Sequence, residues 1–252
     1  MADLHRVKAE FERIRGLGYV LSVRPDAIKN DGAVGNTFES LLGVSENNLR
    51  DPDFEGWECK SQRQHTSSAA SLFTRKPDFP VKADNYMREE WGMPDKEYPQ
   101  IKVLRTSIYA HRWAEVYKKY RMKLEVSESE NKLKMLLCDL DLNILDDSVY
   151  WFLDSLKEAS SKLENTIVVK AEEKVIDGKI HFRYLEGGQA CIGFSFDRCI
   201  QLIKDGRARY DHRLGVYRTG PNKGKAHNHG GGIRLVKPSD DYRNLFDHFI
   251  EL

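Results

Sequence analysis

The chain has 252 residues, of which 40 % are apolar or aromatic and 31 % charged, a size that suits one large domain or two lobes sharing a core. Its formal net charge is +1, so the overall balance names no polyanionic partner, and it has no apolar run of the roughly 18 residues that a membrane span needs. The four cysteines, Cys59, Cys138, Cys191 and Cys199, lack C-x-x-C spacing and speak against a zinc ribbon or disulfide framework. With a charged, amphipathic start in place of a signal-peptide core, they point to a cytoplasmic protein with reduced thiols.

In chain order, the first predicted element is a helix over 3–15, with Asp3 as N-cap, Leu4, Val7, Phe11 and Ile14 on one face, and Gly16 and Gly18 to stop it. A Gly-containing loop leads to a second helix at "TFESLLGV". After Pro52, "FEGWECKSQ" alternates as a strand does, Trp57 and Cys59 to one side, Glu58 and Lys60 to the other. A short strand at "SLFT" and a short helix at "ADNYMREEW" come next, then strands at "IKVLRTSIYA", "RMKLEVS" and "KLKMLLCDL". The stretch "DDSVYWFLDSLKEASSKL" reads as a helix, apolar at Val149, Phe152, Leu153 and Leu156 with acids in its first turn. Two strands, "NTIVVKAEEKVI" and "KIHFRYLE", meet at a tight "DGK" turn. A helix at "SFDRCIQLIKDG", strands at "YDHRLGVY" and "IRLV", and a final helix from Pro238 complete the chain. The class is mixed α and β.

Asp53, Glu58 and Lys60 are the first chemical candidates. Two hard carboxylates suit a divalent cation that keeps its remaining positions for water and phosphate, and a lysine on the same strand face can orient water and stabilise developing negative charge. The same alternation also fits an exposed strand edge with a Lys–Glu pair, and spacing alone does not separate the two.

Charge is unevenly distributed. Residues 201–237 hold nine Lys or Arg against two acids, a net of +7, so the remainder carries −6. A basic end joined to an acidic remainder suits a protein that grips a polyanion with one part and holds metal with another; a solvated basic face is the alternative. Within it, "KGKAHNHGGGIR" spells "HNH" at His227, Asn228 and His229. In HNH nucleases those residues are spread over a ββα hairpin, and zinc would lack partners at suitable spacing, so neither reading is adopted. Arg213, Arg218, Lys223, Lys225 and Arg234, with the two histidines, are candidates to contact phosphates and base edges.

Taken in order, "NTFESLLG", "NLRDPDFEGWECKSQ", "SLFTRKP", "DDSVYWFLDSL" and "HRLGVYRTGPNKGKAHNHGGGIRL" resemble the MvaI/BcnI restriction endonucleases, relatives of the mismatch-repair nicking enzyme MutH in the PD-(D/E)xK nuclease superfamily. The resemblance implies a mixed α+β fold of restriction-endonuclease type: a central mixed sheet flanked by helices, and one nuclease domain in two lobes that clamp double-stranded DNA. Lobes over about 1–140 (mainly catalytic) and 141–252 (mainly recognition) are expected. It implies Asp53 and Glu58 as Mg²⁺ ligands, Lys60 as the water-positioning residue and Glu39 in a supporting role, with Mn²⁺ able to substitute and Ca²⁺ to support binding without cleavage. Arg213 and the "HNHGGGIR" loop match the segment that reads bases. The implied activity is type II cleavage at a short C/G-rich, CCNGG-like site, leaving 5′-phosphates, by a monomer that nicks the strands in turn beside a companion methyltransferase. A MutH-like nicking enzyme is the alternative. The stretch from Gly92 to Glu130 has no counterpart among the matched motifs.

Overall fold

The computed structural model describes residues 3–44, 52–66, 68–237 and 241–252. The chain divides into two compact units, 1–68 with 161–195 and 242–252, and 69–160 with 196–241. The units are therefore not sequential halves meeting near residue 140: the chain leaves the first unit, builds most of the second, and returns twice.

The first unit is organised around the twelve-residue strand Asn165–Ile176. It pairs antiparallel with Lys179–Tyr184 and Gln189–Phe194 and parallel with Glu58–Arg63, and Val20–Leu21 and Phe246–Glu251 extend the sheet on Lys179–Tyr184 and Gln189–Phe194 respectively. The sheet is mixed, as the sequence led us to expect. The expected first helix is Leu4–Gly16, its N-cap Asp3 accepting a hydrogen bond from the Arg6 amide at 3.1 Å. Its Val7, Phe11 and Ile14 are buried, with Phe38 of the helix Ala33–Leu41, Trp57, Phe182 and Tyr184, in one apolar core. Each such side chain contributes roughly 1.5–3 kcal/mol by leaving water. The core Tyr184 hydroxyl donates to the Val34 carbonyl at 2.8 Å, so its polar end is satisfied as well.

The second unit holds two sheets. One runs, in spatial order, through Ala70–Thr74, Gly232–Leu235, Ala208–Val216, Lys102–Ile108 and Met93–Pro94, and Ala226–Asn228 also pairs with Ala208–Val216. The other is an antiparallel meander of Ala114–Val116, Tyr120–Ser127, Lys132–Cys138 and Ile144–Phe152. The helices Ala83–Trp91 and Phe196–Lys204 lie where the sequence placed them.

Two sequence expectations change. The expected helix "DDSVYWFLDSLKEASSKL" is strand up to Phe152, helix only over Leu153–Ser160, then a 3-10 turn Ser161–Leu163. Val149, Phe152, Leu153 and Leu156 fit a helical period, but Val149 and Trp151 alternate with Tyr150 toward the core, and a β-branched and aromatic run that pairs with Lys132–Cys138 stays extended. The start of the expected final helix, at Pro238, and Asp51 lie outside the described residues. From Tyr242 onward the chain forms a 3-10 turn, Tyr242–Asn244, and the strand Phe246–Glu251, which is drawn out by pairing with Gln189–Phe194.

Candidate functional site

In the first unit Asp53 and Glu58 come close enough to act on each other electrostatically. Phe54 and Trp57 close a tight turn through reciprocal backbone bonds of 2.9 and 2.7 Å, with Glu55 and Gly56 at positive φ. The turn folds Asp53 back onto the strand that comes after it, where its Oδ2 accepts the Cys59 amide at 2.9 Å. Glu58 opens that strand and is 3 % exposed. Its Oε1 accepts from Lys60 Nζ at 2.6 Å and from Lys162 Nζ at 2.8 Å, while its Oε2 is buried with no hydrogen-bond partner. Glu39, on the helix that packs against this strand, lies close enough to act electrostatically on Cys59. Trp57 and Cys59 are core residues, as expected. Glu55, still partly exposed, pairs with Arg6 at 2.5 Å.

The electrostatics agree with an acid cluster. Burial, then the charge of Glu58, raises the Asp53 carboxyl, against the Cys59 amide and the two lysines. For Glu58 burial acts upward too, but Lys60 and Lys162 together hold it below the usual range. Cys59 is pushed well up by burial and then by Asp53, Glu39 and Glu58 in turn. Three carboxylates thus act on one point of the strand.

Lys162 was not anticipated from sequence. It sits in the 3-10 turn before Asn165–Ile176, and that strand pairs parallel with Glu58–Arg63, Thr166 opposite Glu58. Parallel pairing brings the starts of both strands together and delivers a second ammonium across about a hundred residues of sequence. No local motif carries that information.

The residues present fit a divalent cation. Glu58 Oε2 is a buried carboxylate oxygen without a donor, a costly arrangement for a hard anionic ligand unless something positive meets it, and Asp53 lies beside it. Among the described residues no group of three or more His, Cys, Asp or Glu is placed to hold a metal, so the protein would supply two carboxylates and leave the rest of the coordination shell open. A divalent cation can fill such a shell with water and phosphate.

In the second unit the basic segment sorts into bound and presented cations. Arg207 pairs with Asp241, Arg218 with Asp95 and Glu97, and Arg209 with Asp211 and the Tyr109 hydroxyl. Arg234, 15 % exposed in its side chain, lies 3.4 Å from Asp211. Lys223 and Lys225 are exposed on the loop, Lys225 reaching Asn222 at 3.2 Å. Arg213 is exposed and stands directly opposite exposed Arg105 on the neighbouring strand, and neither guanidinium forms an ion pair among the described residues. Like charges directly opposite on paired strands destabilise a sheet. Arg105 was also missed by the sequence reading, because only the pairing of Lys102–Ile108 with Ala208–Val216 brings it there.

A cavity of about 630 Å³ is lined by Arg105, Ser107, Asp211, Arg213 and His229 among others. Gly215 lies against two of these side chains: a Cβ there would lie 2.6 Å from Arg105 Nη2 and 2.8 Å from the His229 ring. His227 stacks on Tyr217 at 3.8 Å and meets His229 edge-on at 4.3 Å. Burial lowers both histidines, helped by Arg88 at His227 and by His227, Arg105 and Arg213 at His229, so both rings stay neutral near pH 7 and offer a donor and an acceptor each. Asn228, between them, donates to Asp84 at 2.9 Å and accepts from the Gly231 amide at 2.8 Å. It braces the loop.

No curated protein matches this chain. Solved structures do, among them a restriction endonuclease MvaI–cognate DNA substrate complex, 26 % identical with a TM-score of 0.90, covering 98 % of this chain and 97 % of that one, and restriction endonuclease MvaI in the absence of DNA, 26 % identical with a TM-score of 0.59, covering 98 % and 96 %. The family model of the MvaI/BcnI restriction endonucleases matches residues 8–246. With that match over nearly its whole length, the chain belongs to the MvaI/BcnI restriction endonuclease family.

Proposed function

We propose that the first unit hydrolyses a phosphodiester of double-stranded DNA with a bound Mg²⁺, and that the second unit selects where. The observation that carries the chemistry is the buried, unpartnered Glu58 Oε2 beside Asp53 and two lysines. Asp53 and Glu58 are the residues that would hold the ion, which when bound supplies Lewis-acid polarisation of the phosphoryl group. Lys60 faces the same point. Its ammonium orients the attacking water and meets the charge that grows on the non-bridging oxygens. Lys162 adds a second positive charge from the neighbouring strand and keeps Glu58 ionised, and Glu39 supports the cluster from its helix. Attack at phosphorus with loss of the 3′ oxygen leaves a 5′-phosphate.

In the second unit, Arg105, Arg213, His227 and His229 are the base-edge readers, and Lys223 and Lys225 the phosphate contacts. Arginine matches guanine O6 and N7 in two parallel hydrogen bonds, which favours a short C/G-rich, CCNGG-like site. Arg218 and Arg234, expected as direct contacts, are engaged by carboxylates and act first as braces for the surface around them. One active site per chain favours a monomer that nicks the two strands in succession, protected in its cell by a companion methyltransferase.

The test is Lys60→Ala. In Mg²⁺, cleavage should fall by about 10³-fold or more, while specific binding in Ca²⁺ stays within a few-fold of wild type. Cleavage retained near the wild-type rate would remove the assignment of this cluster as the active centre.

A further inference from the structure

The helix Ala83–Trp91 turns Ala83, Asp84, Met87 and Arg88 inward, the i, i+1, i+4, i+5 pattern of a buried helix face. Two of these are charged. Arg88 is 6 % exposed and Asp84 8 %. One turn apart, they are placed for an ion pair, yet none forms. Arg88 makes no side-chain hydrogen bond or ion pair among the described residues, and its Nε is fully buried without an acceptor. Asp84 uses Oδ2 for Asn228 at 2.9 Å, with Lys76 at 3.5 Å, and leaves Oδ1 buried without a donor. Both line a cavity of about 350 Å³ with Lys76, Lys82, His227 and Asn228.

An unpaired buried guanidinium and a half-paired buried carboxylate on one wall are costly. A protein keeps such groups where a ligand completes them. The ligand must accept from an arginine and donate to a carboxylate within a few ångströms. A phosphate meets the first demand and is repelled by the second. The edge of a G·C pair meets both: guanine offers O6 and N7 as acceptors, and cytosine its N4 amino group as donor.

We propose that this cavity is a base-pair subsite, with Arg88 reading guanine and Asp84 reading the cytosine of one G·C pair in the recognition sequence. Asp84 links the subsite to the loop, because the same carboxylate that awaits cytosine holds Asn228 and through it the position of His227. Occupation of the cavity and order in the histidine loop are therefore coupled through one side chain. The proposal rests on the reading of the second unit as the DNA-selecting one.

The experiment first defines the wild-type recognition sequence by sequencing the ends of its digestion fragments. Binding in Ca²⁺ is then measured on that duplex and on a panel in which each base pair is replaced singly, for wild type, Arg88→Ala and Asp84→Asn. Arg88→Ala should weaken cognate binding roughly 5- to 150-fold and erase discrimination at one G·C position while preserving it at the others. Asp84→Asn keeps an oxygen for Asn228 but puts an amide donor or a weaker acceptor before cytosine. It should lose discrimination at the same position, and as a near-isosteric change it carries the test if Arg88→Ala unfolds. Loss spread evenly over every duplex, with the log–log salt slope reduced by about one, makes Arg88 a phosphate contact and overturns the proposal. Unchanged binding by both variants overturns it as well. A wild type that shows no preferred sequence at all defeats the proposed function instead, so the two failures are distinct.

Discussion

At the scale of single residues, the site is a set of charges held in place by partners that sequence shows only in part. Asp53, Glu58 and Lys60 stood together in the sequence, though spacing alone fitted a solvent-facing strand edge somewhat better; burial of Glu58 and its double lysine pairing make it a built cluster. Lys162→Ala should lower cleavage about 10- to 100-fold with binding in Ca²⁺ retained, and Lys162→Arg should recover part of the rate; an unchanged rate for the alanine variant would reduce Lys162 to a packing contact. His212 makes a second case. Its ring is 3 % exposed with Nε2 unpartnered, and burial depresses it from 6.5 to about 4. Between those values the unfolded chain takes up a proton that the folded one refuses, so stability is full above about pH 6.5 and is lost as pH falls toward 4. By denaturant titration, His212→Phe should remove a component of acid sensitivity worth at most about 3 kcal/mol; an identical pH dependence in the two proteins would refute the buried neutral ring.

At the scale of elements, two glycines of the second unit make opposite demands. A Cβ on Gly232 would lie 2.3 Å from the Phe73 carbonyl and 2.8 Å from Thr74 Cα, which are backbone atoms of the paired strand. Gly232→Ala should therefore cost about 1–3 kcal/mol of stability or more. At Gly215 the atoms in the way belong to the side-chain ends of Arg105 and His229, so Gly215→Ala should unfold near the wild-type midpoint and yet lose sequence-specific binding. Equal stability losses in the two variants would contradict the placement of Arg105 and His229. The elements most legible in sequence were those whose pattern is local: the Leu4–Gly16 helix with its cap, and the hairpin around Asp177 and Gly178, both at positive φ. Residues 144–152 were not legible, since Val149, Tyr150, Trp151 and Phe152 satisfy both periods and strand pairing decides. Phe246–Glu251 is extended for the same reason. Lys162 and Arg105 reach their sites through pairing across long separations, which leaves no trace in spacing.

At the scale of the whole molecule, the two units are interleaved in sequence, and Glu58–Arg63 depends on a strand that begins at Asn165. A fragment ending at residue 140 should therefore show no cooperative unfolding transition by circular dichroism; a cooperative transition would mean that the strand Glu58–Arg63 folds without its parallel partner. The net charge of +1 concealed a division of labour, in which the carboxylates that gather at Glu58 and the cations that remain presented at Arg105 and Arg213 lie in different units. Family membership makes the chain a restriction endonuclease by kinship; what it cuts, and with which ion, is the business of the proposed site. The most direct measurement is digestion of phage DNA with the purified protein and Mg²⁺, with every fragment end sequenced. The expected result is one short C/G-rich sequence at all ends, cut on both strands, with 5′-phosphates, and no cutting when Mg²⁺ is chelated. Ends scattered over unrelated sequences, persistent single-strand nicks, or cleavage undiminished by chelation would contradict it.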